Sequence, residues 1–244
     1  MIKLPSAARV VQSYLAWIPV SAELVSFAAH EEKRGFRFRE PQVVVIGKLG
    51  LGKVKRQLLL DSARLISDFA NTQNDAGGVL RFTRRYGILQ RGEQEYFEEV
   101  DDVGDQFCVL CADWLDRQKE FRDQWSRKGK ADEETAMVFA KQINPTSRAG
   151  RAVKTYVIPA KNRAFQLELR PDDLLGAVWL ALLGFSGRTR KCDNPTCSSP
   201  YFIAARRDQK YCTEVCSRLV ANRVWWAKRG AQWRAKKQKA RKSE

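Results

Sequence analysis

The sequence predicts an α+β protein: a mostly helical N-terminal domain with short β-hairpins, followed by a small treble-clef-like four-cysteine zinc finger and a basic helix. Three observations support this class. Apolar residues recur at helical spacing in several segments, short β-branched runs lie between glycines and prolines, and two close cysteine pairs stand near the C-terminus. We expect a helical extension over residues 1–40, an α+β domain over 41–187, and the finger with its helix over 188–244.

The first elements are predicted from short patterns. Apolar positions in residues 6–30 fit a helix that is interrupted near Pro19. The β-branched run 43–46 indicates a strand, and residues 53–60 indicate a second strand. A turn through residues 47–52 would join these two strands into a hairpin.

That turn also matches the G-x4-G-K frame of a phosphate-binding loop. The residue after Lys53 is Val54, whereas a nucleotide-binding loop needs a serine or threonine hydroxyl there for Mg²⁺. The loop should also open a helix, and residues 54–60 favour a strand. With a single histidine, His30, and no catalytic constellation, we expect a protein that is not an enzyme.

Helical periodicity dominates the middle of the chain. A helix over residues 63–72 should bury one face and end at Asn71 and Thr72. The buried face of this helix consists of Leu65, Ile66, Phe69 and Ala70. Further helices are expected over residues 79–86, 101–122, 131–142 and 174–183, and a second hairpin over 154–158 and 164–169. Cys108 and Cys111 fall in the 101–122 segment among large apolar residues, which favours small core residues over a metal or redox pair.

The cysteine pairs form a C-x4-C-x14-C-x3-C array of Cys192, Cys197, Cys212 and Cys216. Two such knuckles can bring four thiolates tetrahedrally onto one Zn²⁺, at about 2.3 Å from each sulfur. All four positions are then taken by protein ligands, so the predicted site is structural. Disulfide bonds between the same residues are the alternative. Thr213 is the expected N-cap of the helix that follows.

Positive charge is concentrated in the same part of the chain. The formal charge is +16, and residues 186–244 carry 16 lysines and arginines against 4 acidic residues, a net charge of +12. This distribution favours a polyanionic partner, with nucleic acid the commonest candidate, over a merely solvated tail. The cations expected to contact it are Arg206, Arg207, Arg218, Arg223, Lys228, Arg229 and Arg234.

Three tryptophans accompany these cations in the predicted C-terminal helix. Trp226 and Trp233 share a helical stripe with Val215, Leu219 and Gly230, and Trp225 is adjacent. Packing against the finger is the favoured use for the tryptophans. Stacking on unpaired bases and a protein interface are the alternatives.

No apolar run reaches the roughly 18 to 20 residues that span a bilayer, and the N-terminus lacks the core of a signal peptide. We therefore expect a soluble, cytoplasmic protein without a membrane partner.

Several of these features together resemble the bacterial CGNR zinc-finger family, whose larger N-terminal part is called the ABATE domain. They are the sequence Asp-Phe-Ala-Asn-Thr at residues 68–72, the strand pair before the last apolar helix, and the cysteine array with its basic extension. The order of parts matches over most of residues 55–235. One departure lies at the family's signature, because Cys216 is followed by Ser217 and Arg218 rather than by glycine, asparagine and arginine.

The resemblance implies a transcription regulator. We expect the zinc finger and basic helix to bind nucleic acid, with duplex DNA favoured, while the N-terminal domain senses a small-molecule effector or mediates assembly. A zinc-stabilised protein-interaction module without nucleic-acid binding is the alternative.

Overall fold

Helices and antiparallel strand pairs both build the fold, which confirms the predicted α+β class. The computed structural model describes residues 13–16, 19–33, 36–49, 55–58, 62–89, 106–126, 153–159, 165–171, 173–185 and 187–241. The predicted helix over 131–142 lies outside these residues.

The strands are β1 (Ser13–Ala16), β2 (Pro19–Phe27), β3 (Glu32–Lys33), β4 (Phe36–Arg37), β5 (Gln42–Leu49), β6 (Lys55–Leu58), β7 (Gln106–Leu110), β8 (Val153–Pro159), β9 (Phe165–Pro171), β10 (Thr189–Lys191) and β11 (Tyr201–Ile203). The helices are α1 (Ser62–Asn71), α2 (Ala76–Tyr86), α3 (Cys111–Ser126), α4 (Leu174–Gly184) and α5 (Glu214–Arg241).

The largest sheet among these is antiparallel and has the order β2-β5-β7. Its central strand β5 carries the predicted β-branched run, with Val44, Val45 and Ile46 almost completely buried. Gly47 lies opposite Ala22 on one side and Phe107 on the other. A Cβ atom at Gly47 would lie 2.0 Å from the Ser21 carbonyl oxygen and 2.6 Å from the Phe107 ring. The close approach of the neighbouring strands at this position therefore requires glycine.

Three predictions for the sheet region were wrong. Residues 13–16 and 19–27 of the expected helical extension form strands, because β2 pairs along β5 and β1 pairs with β6. Residues 55–58 form a strand as expected, but it pairs with β1 rather than in a hairpin with β5. Residues 106–110 form β7 instead of helix, since they complete the sheet on the other edge of β5.

Cys108 and Cys111 therefore lie on β7 and at the start of α3. Cys111 is buried in the main core, and Cys108 packs against a second apolar cluster under the sheet. Burial raises the pKa of Cys108 to about 12 and that of Cys111 to about 11, so both remain thiols at neutral pH. Their predicted role as apolar core residues is confirmed.

Helix α1 packs its predicted face into the centre of the core. Leu65, Ile66, Phe69 and Ala70 are at most 2% exposed. The Phe69 ring meets those of Phe82, Trp114 and Phe121 edge-to-face, with ring centroids 5.0–5.4 Å apart. Helix α1 thus organises α2 and α3 around one aromatic cluster.

The predicted hairpin before the last apolar helix is confirmed. Strands β8 and β9 pair antiparallel, with Val157 opposite Leu167. Asp173 is the N-cap of helix α4, and its Oδ1 accepts a hydrogen bond from Gly176 N at 2.7 Å. Residues 174–182 of α4 are all buried, which explains why this helix is apolar on every side. Among the described residues, no helix has both the length and the apolar character needed to cross a membrane.

Candidate metal centre and basic helix

The four predicted cysteine ligands lie together in the structure. The Sγ atoms of Cys197, Cys212 and Cys216 are 3.5, 3.6 and 3.7 Å apart, and all four Sγ atoms lie within 4.8 Å of one another. A disulfide would bring two sulfurs to about 2.05 Å, and none of these cysteines forms one. A tetrahedron with metal–sulfur bonds of about 2.3 Å has edges of about 3.8 Å. The cluster can therefore hold one metal ion.

A short strand pair and a helix start position these thiols. Cys192 directly follows β10, which pairs antiparallel with β11, and its N–H donates to the Pro200 carbonyl at 2.7 Å. Asp193 N donates to the Lys210 carbonyl at 3.0 Å, which ties the first cysteine pair to the segment before the second. A treble-clef-like finger was predicted with a knuckle first, then a hairpin from residues 201–203 to about 211–213, then the helix. In the structure β10 precedes the first knuckle and β11 follows it, and residues 211–213 form no strand.

The N-terminus of α5 carries the last ligand. Thr213 precedes the helix, and its Oγ1 accepts a hydrogen bond from Cys216 N at 3.3 Å, as expected for an N-cap. Cys216 is thereby fixed in the first turn of α5.

Asn194 supports the thiols from inside the first knuckle. Its side chain is almost fully buried, and its Nδ2 donates to Cys216 Sγ at 3.4 Å. Its Oδ1 accepts from Thr196 N and Oγ1 at 3.3 and 3.0 Å, which fixes the orientation of the amide. The cysteine spacing alone did not indicate this role for Asn194; the signal for it was an amide side chain placed between the two cysteines of the first pair.

Hydrogen bonding and burial make the thiols unequal in proton affinity. The hydrogen bond from Asn194 lowers the pKa of Cys216 to about 7, whereas burial raises the pKa of Cys212 to about 12. A bound cation would stabilise all four thiolates and displace their protons.

One attachment of the finger to the N-terminal core is made by Asn71 at the backbone of Tyr201. Asn71, at the end of α1, donates from Nδ2 to the Tyr201 carbonyl at 2.7 Å and accepts from Tyr201 N at 3.0 Å. The Asn71 amide thus pairs with β11 as a neighbouring strand would. It also donates to the Ser67 carbonyl at 2.8 Å, within its own helix.

Helix α3 holds the other strand of the finger. Trp125 Nε1 donates to the Arg190 carbonyl at 2.9 Å, and the Trp125 ring meets the Tyr201 ring edge-to-face at 6.0 Å. The Arg122 guanidinium lies 5.5 Å from the centroid of the same tyrosine ring. Tyr201 and Ile203 accordingly pack against the main core as well as belonging to the finger.

Helix α5 starts at the cysteine cluster and carries five of the seven predicted contact cations. All seven are exposed, and Arg206 and Arg207 lie in the loop after β11. Arg218 pairs with Glu214 at 2.6 Å on the first turns of α5. Arg223 Nη2 donates a hydrogen bond to Thr196 Oγ1 at 3.3 Å, which links α5 to the first knuckle.

The tryptophans of α5 do not pack into the finger core, so the favoured prediction for them was wrong. Trp225, Trp226 and Trp233 are 40%, 45% and 44% exposed. The Trp226 ring meets those of Trp225 and Trp233 edge-to-face at 4.9 and 5.3 Å, and it covers Gly230. This row of indoles lies on the surface of α5 together with exposed Val215 and Leu219.

No protein-family model, no curated protein and no solved structure matches the chain.

Proposed function

We propose that the chain is a zinc-dependent nucleic-acid-binding regulator of transcription, in which the finger and α5 contact duplex DNA. The observation that carries this proposal is the placement of four converging thiols at the base of an exposed basic helix. The N-terminal domain would sense a small-molecule effector or mediate assembly. The resemblance of residues 68–72 and of the cysteine array to the bacterial CGNR family supports the same reading.

Zinc is the proposed ion because four thiolates in tetrahedral arrangement suit Zn²⁺, with iron the other common occupant. The sulfur–sulfur distances of 3.5–3.7 Å are close to the tetrahedral edge for zinc. Four protein ligands complete the coordination, so the ion has a structural role. Elemental analysis of protein purified without added metal should give one zinc per chain, and iron at that stoichiometry would contradict the assignment.

The distribution of cations on α5 supports a polyanionic partner. At 3.6 residues per turn, Arg218 and Arg229 lie on one side of the stripe that contains Trp226 and Trp233. Arg223 and Arg234 lie on the other side of this stripe. A partner on this surface would meet positive charge on both flanks, which suits the paired phosphate rows of a groove.

Fluorescence anisotropy over a salt series tests this function. Labelled random duplex DNA, single-stranded DNA and RNA are each held at constant concentration and titrated with zinc-loaded protein. The triple variant Arg223→Gln, Arg229→Gln, Arg234→Gln, which removes cations from both flanks of the stripe, should bind duplex DNA more weakly. Its slope of log affinity against log salt should fall by about 1 for each phosphate contact removed.

The matched control removes three exposed cations outside the finger and α5, at Arg37, Arg39 and Lys48 in and between strands β4 and β5. Its affinity should change only by the general effect of net charge. Equal losses in the two triple variants, or no binding by the wild-type protein, would contradict the proposal.

The exposed indoles favour one alternative, a protein-interaction module that docks a partner through the stripe of Trp226 and Trp233. The double variant Trp226→Ala, Trp233→Ala distinguishes the two. Under the nucleic-acid proposal, duplex affinity persists and stays steeply salt-dependent, whereas stacking on unpaired bases would cost about 1–3 kcal/mol per lost base contact. Salt-insensitive binding of a protein partner that this variant abolishes would favour the alternative.

A further inference from the structure

A cleft of about 540 Å³ lies between α1, α2 and the finger loop that follows Cys197. Its polar wall comes from both parts of the molecule. The groups that matter to its chemistry are Asp68, Arg81, Arg85, Tyr86, Ser198 and Ser199.

Two arginines one helical turn apart on α2 face this cleft. Arg81 Nη2 donates to Gln73 Oε1 at 2.9 Å, and Arg85 Nη1 lies 3.3 Å from Asp68 Oδ2. A guanidinium has five N–H donors, so each of these contacts leaves donors for a further acceptor. The Ser198 and Ser199 hydroxyls, both on exposed residues, add donors from the opposite wall.

Asp68, the carboxylate in the cleft, is already engaged. Its Oδ2 accepts a hydrogen bond from the Tyr86 hydroxyl and pairs with Arg85. Arg64 approaches the same oxygen at 3.9 Å. Burial, followed by the hydrogen bond to Asp68, raises the pKa of Tyr86 far above the ordinary phenol value, so the hydroxyl keeps its proton. The cleft therefore offers mainly donors and a net positive charge.

We infer that this cleft binds a phosphate group, held by the guanidinium groups of Arg81 and Arg85 and by the hydroxyls of Ser198 and Ser199. Guanidinium forks match phosphate oxygens, and hydroxyl donors complete such sites. The phosphate could belong to a small phosphorylated molecule or to a nucleic-acid backbone. Binding of a nucleic-acid backbone rests on the proposed function, whereas binding of a small phosphorylated molecule does not.

The position of the cleft links its occupant to the finger. Ser198 and Ser199 lie between the ligand Cys197 and Tyr201, which Asn71 holds against α1. A phosphate that bridges α2 and this loop would contact the N-terminal domain and the finger at once. Its binding would thus favour the docked arrangement of the two parts.

The first arm of the test uses inorganic phosphate and the zinc-loaded full chain. Backbone amide resonances are followed by nuclear magnetic resonance as phosphate replaces chloride at constant ionic strength. Saturable shifts are expected for the amides of Arg81, Arg85, Ser198 and Ser199. The variant Arg81→Gln, Arg85→Gln should weaken this binding at least tenfold, whereas Arg37→Gln, Arg39→Gln should leave it unchanged.

Arg85 also pairs with Asp68, so the double variant could lose structure. The single variant Arg81→Gln, which spares that pair, should show the same direction of effect. Matching thermal midpoints of the variants and wild type would show that the loss is local.

The second arm measures nucleic-acid affinity with the same variants and with phosphate as competitor. A loss beyond that of the Arg37, Arg39 control, together with competition by phosphate, identifies the backbone as the source. Saturable phosphate binding with unchanged nucleic-acid affinity identifies a free small molecule.

The inference is overturned if phosphate produces no saturable shifts at these amides and Arg81→Gln, Arg85→Gln binds nucleic acid as the control does. A wild-type protein that binds phosphate but no nucleic acid would refute the proposed function and leave the phosphate site standing.

Discussion

Asn71 joins the two parts of the molecule with one side chain. It makes two hydrogen bonds with the Tyr201 backbone and one with the Ser67 carbonyl. Asn71→Ala would leave the Tyr201 N–H and carbonyl without these partners at a partly buried position. We expect a loss of about 1–3 kcal/mol in the free energy of unfolding, measured by urea denaturation.

The exposed Asn74, in the loop between α1 and α2, supplies the control. Asn74→Ala should change the free energy of unfolding by less than about 0.5 kcal/mol. Equal effects of the two substitutions would show that Asn71 does not fasten the finger.

Tyr86 should make stability fall at alkaline pH. Because the folded pKa lies above the ordinary value of 10.0, the folded chain holds the phenol proton over a pH range in which the unfolded chain releases it. This contribution is complete below pH 10 and is lost as pH rises toward the folded pKa. Tyr86→Phe should therefore be less stable than wild type at pH 8, and the difference in unfolding free energy should shrink between pH 10 and 11.

Chemical denaturation of both proteins at pH 8, 10 and 11 checks this expectation. The cysteines and lysines titrate in both proteins, so the difference between them isolates Tyr86. A difference that grows with pH would contradict the argument.

At the scale of the element, Gly230 allows the Trp226 ring to lie close against the backbone of α5. A Cβ atom there would lie 2.6 Å from Trp226 Cε3, so Gly230→Ala must displace that ring. Alanine is better than glycine inside a helix by about 1 kcal/mol. We therefore expect far-ultraviolet circular dichroism to show equal or greater helicity, while the near-ultraviolet signal of the coupled indoles weakens.

Gln232→Ala changes an exposed residue on another side of α5 and serves as the control. It should leave the near-ultraviolet signal intact. An unchanged signal in Gly230→Ala would mean that the Trp226 ring does not cover the glycine in solution.

Elements with a strong period of their own were predictable from sequence, and elements defined by a distant partner were not. Helix α1 buries the four residues that its spacing indicated, and α4 and the β8–β9 hairpin form where expected. The apolar residues of β2 and β7 fit a helix equally well, and only pairing with the two edges of β5 makes them strands. Such pairing depends on tertiary contacts that no local window contains.

In the candidate metal site, too, local features were predictable from the sequence and features that depend on distant contacts were not. The cysteine spacing was sufficient to place the four thiols together, because each knuckle is a local turn. The contacts of Asn71 and Trp125 with the finger join residues that are 130 and 65 positions apart in the sequence, so no local motif indicated them. The exposure of Trp226 and Trp233 was missed because their stripe lies beyond the reach of the small finger.

At the scale of the whole molecule, the contacts of Asn71 and Trp125 with the finger place finger residues against the main apolar core. Tyr201 and Ile203 pack on the same cluster as Trp125. Loss of the metal should therefore loosen the end of α1 and α3 as well as residues 188–241. Removal of the chain after Gly187 would likewise uncover the Trp125 ring, so substitutions are better tests than truncation.

Cys212→Ser tests this coupling. We expect loss of stoichiometric metal and faster amide hydrogen exchange in β11 and in the last turn of α1, with β5 little affected. Asp208→Ser, at an exposed position in the same loop, is the control. Retained metal in Cys212→Ser, or faster exchange confined to residues 204–241, would contradict the coupling.

Because helix α5 is long and is fixed at one end, a small change at the thiol cluster can move its far end by a large distance. The helix continues for about 38 Å beyond Cys216, where the thiol cluster and Asn194 fix its first turn. A rotation of the helix axis by about 10° at Cys216 would displace the far end of the helix by roughly 7 Å, about the rise of two base-pair steps. If α5 contacts duplex DNA as proposed, small adjustments among the four sulfur atoms would determine which phosphates Arg229 and Arg234 can reach.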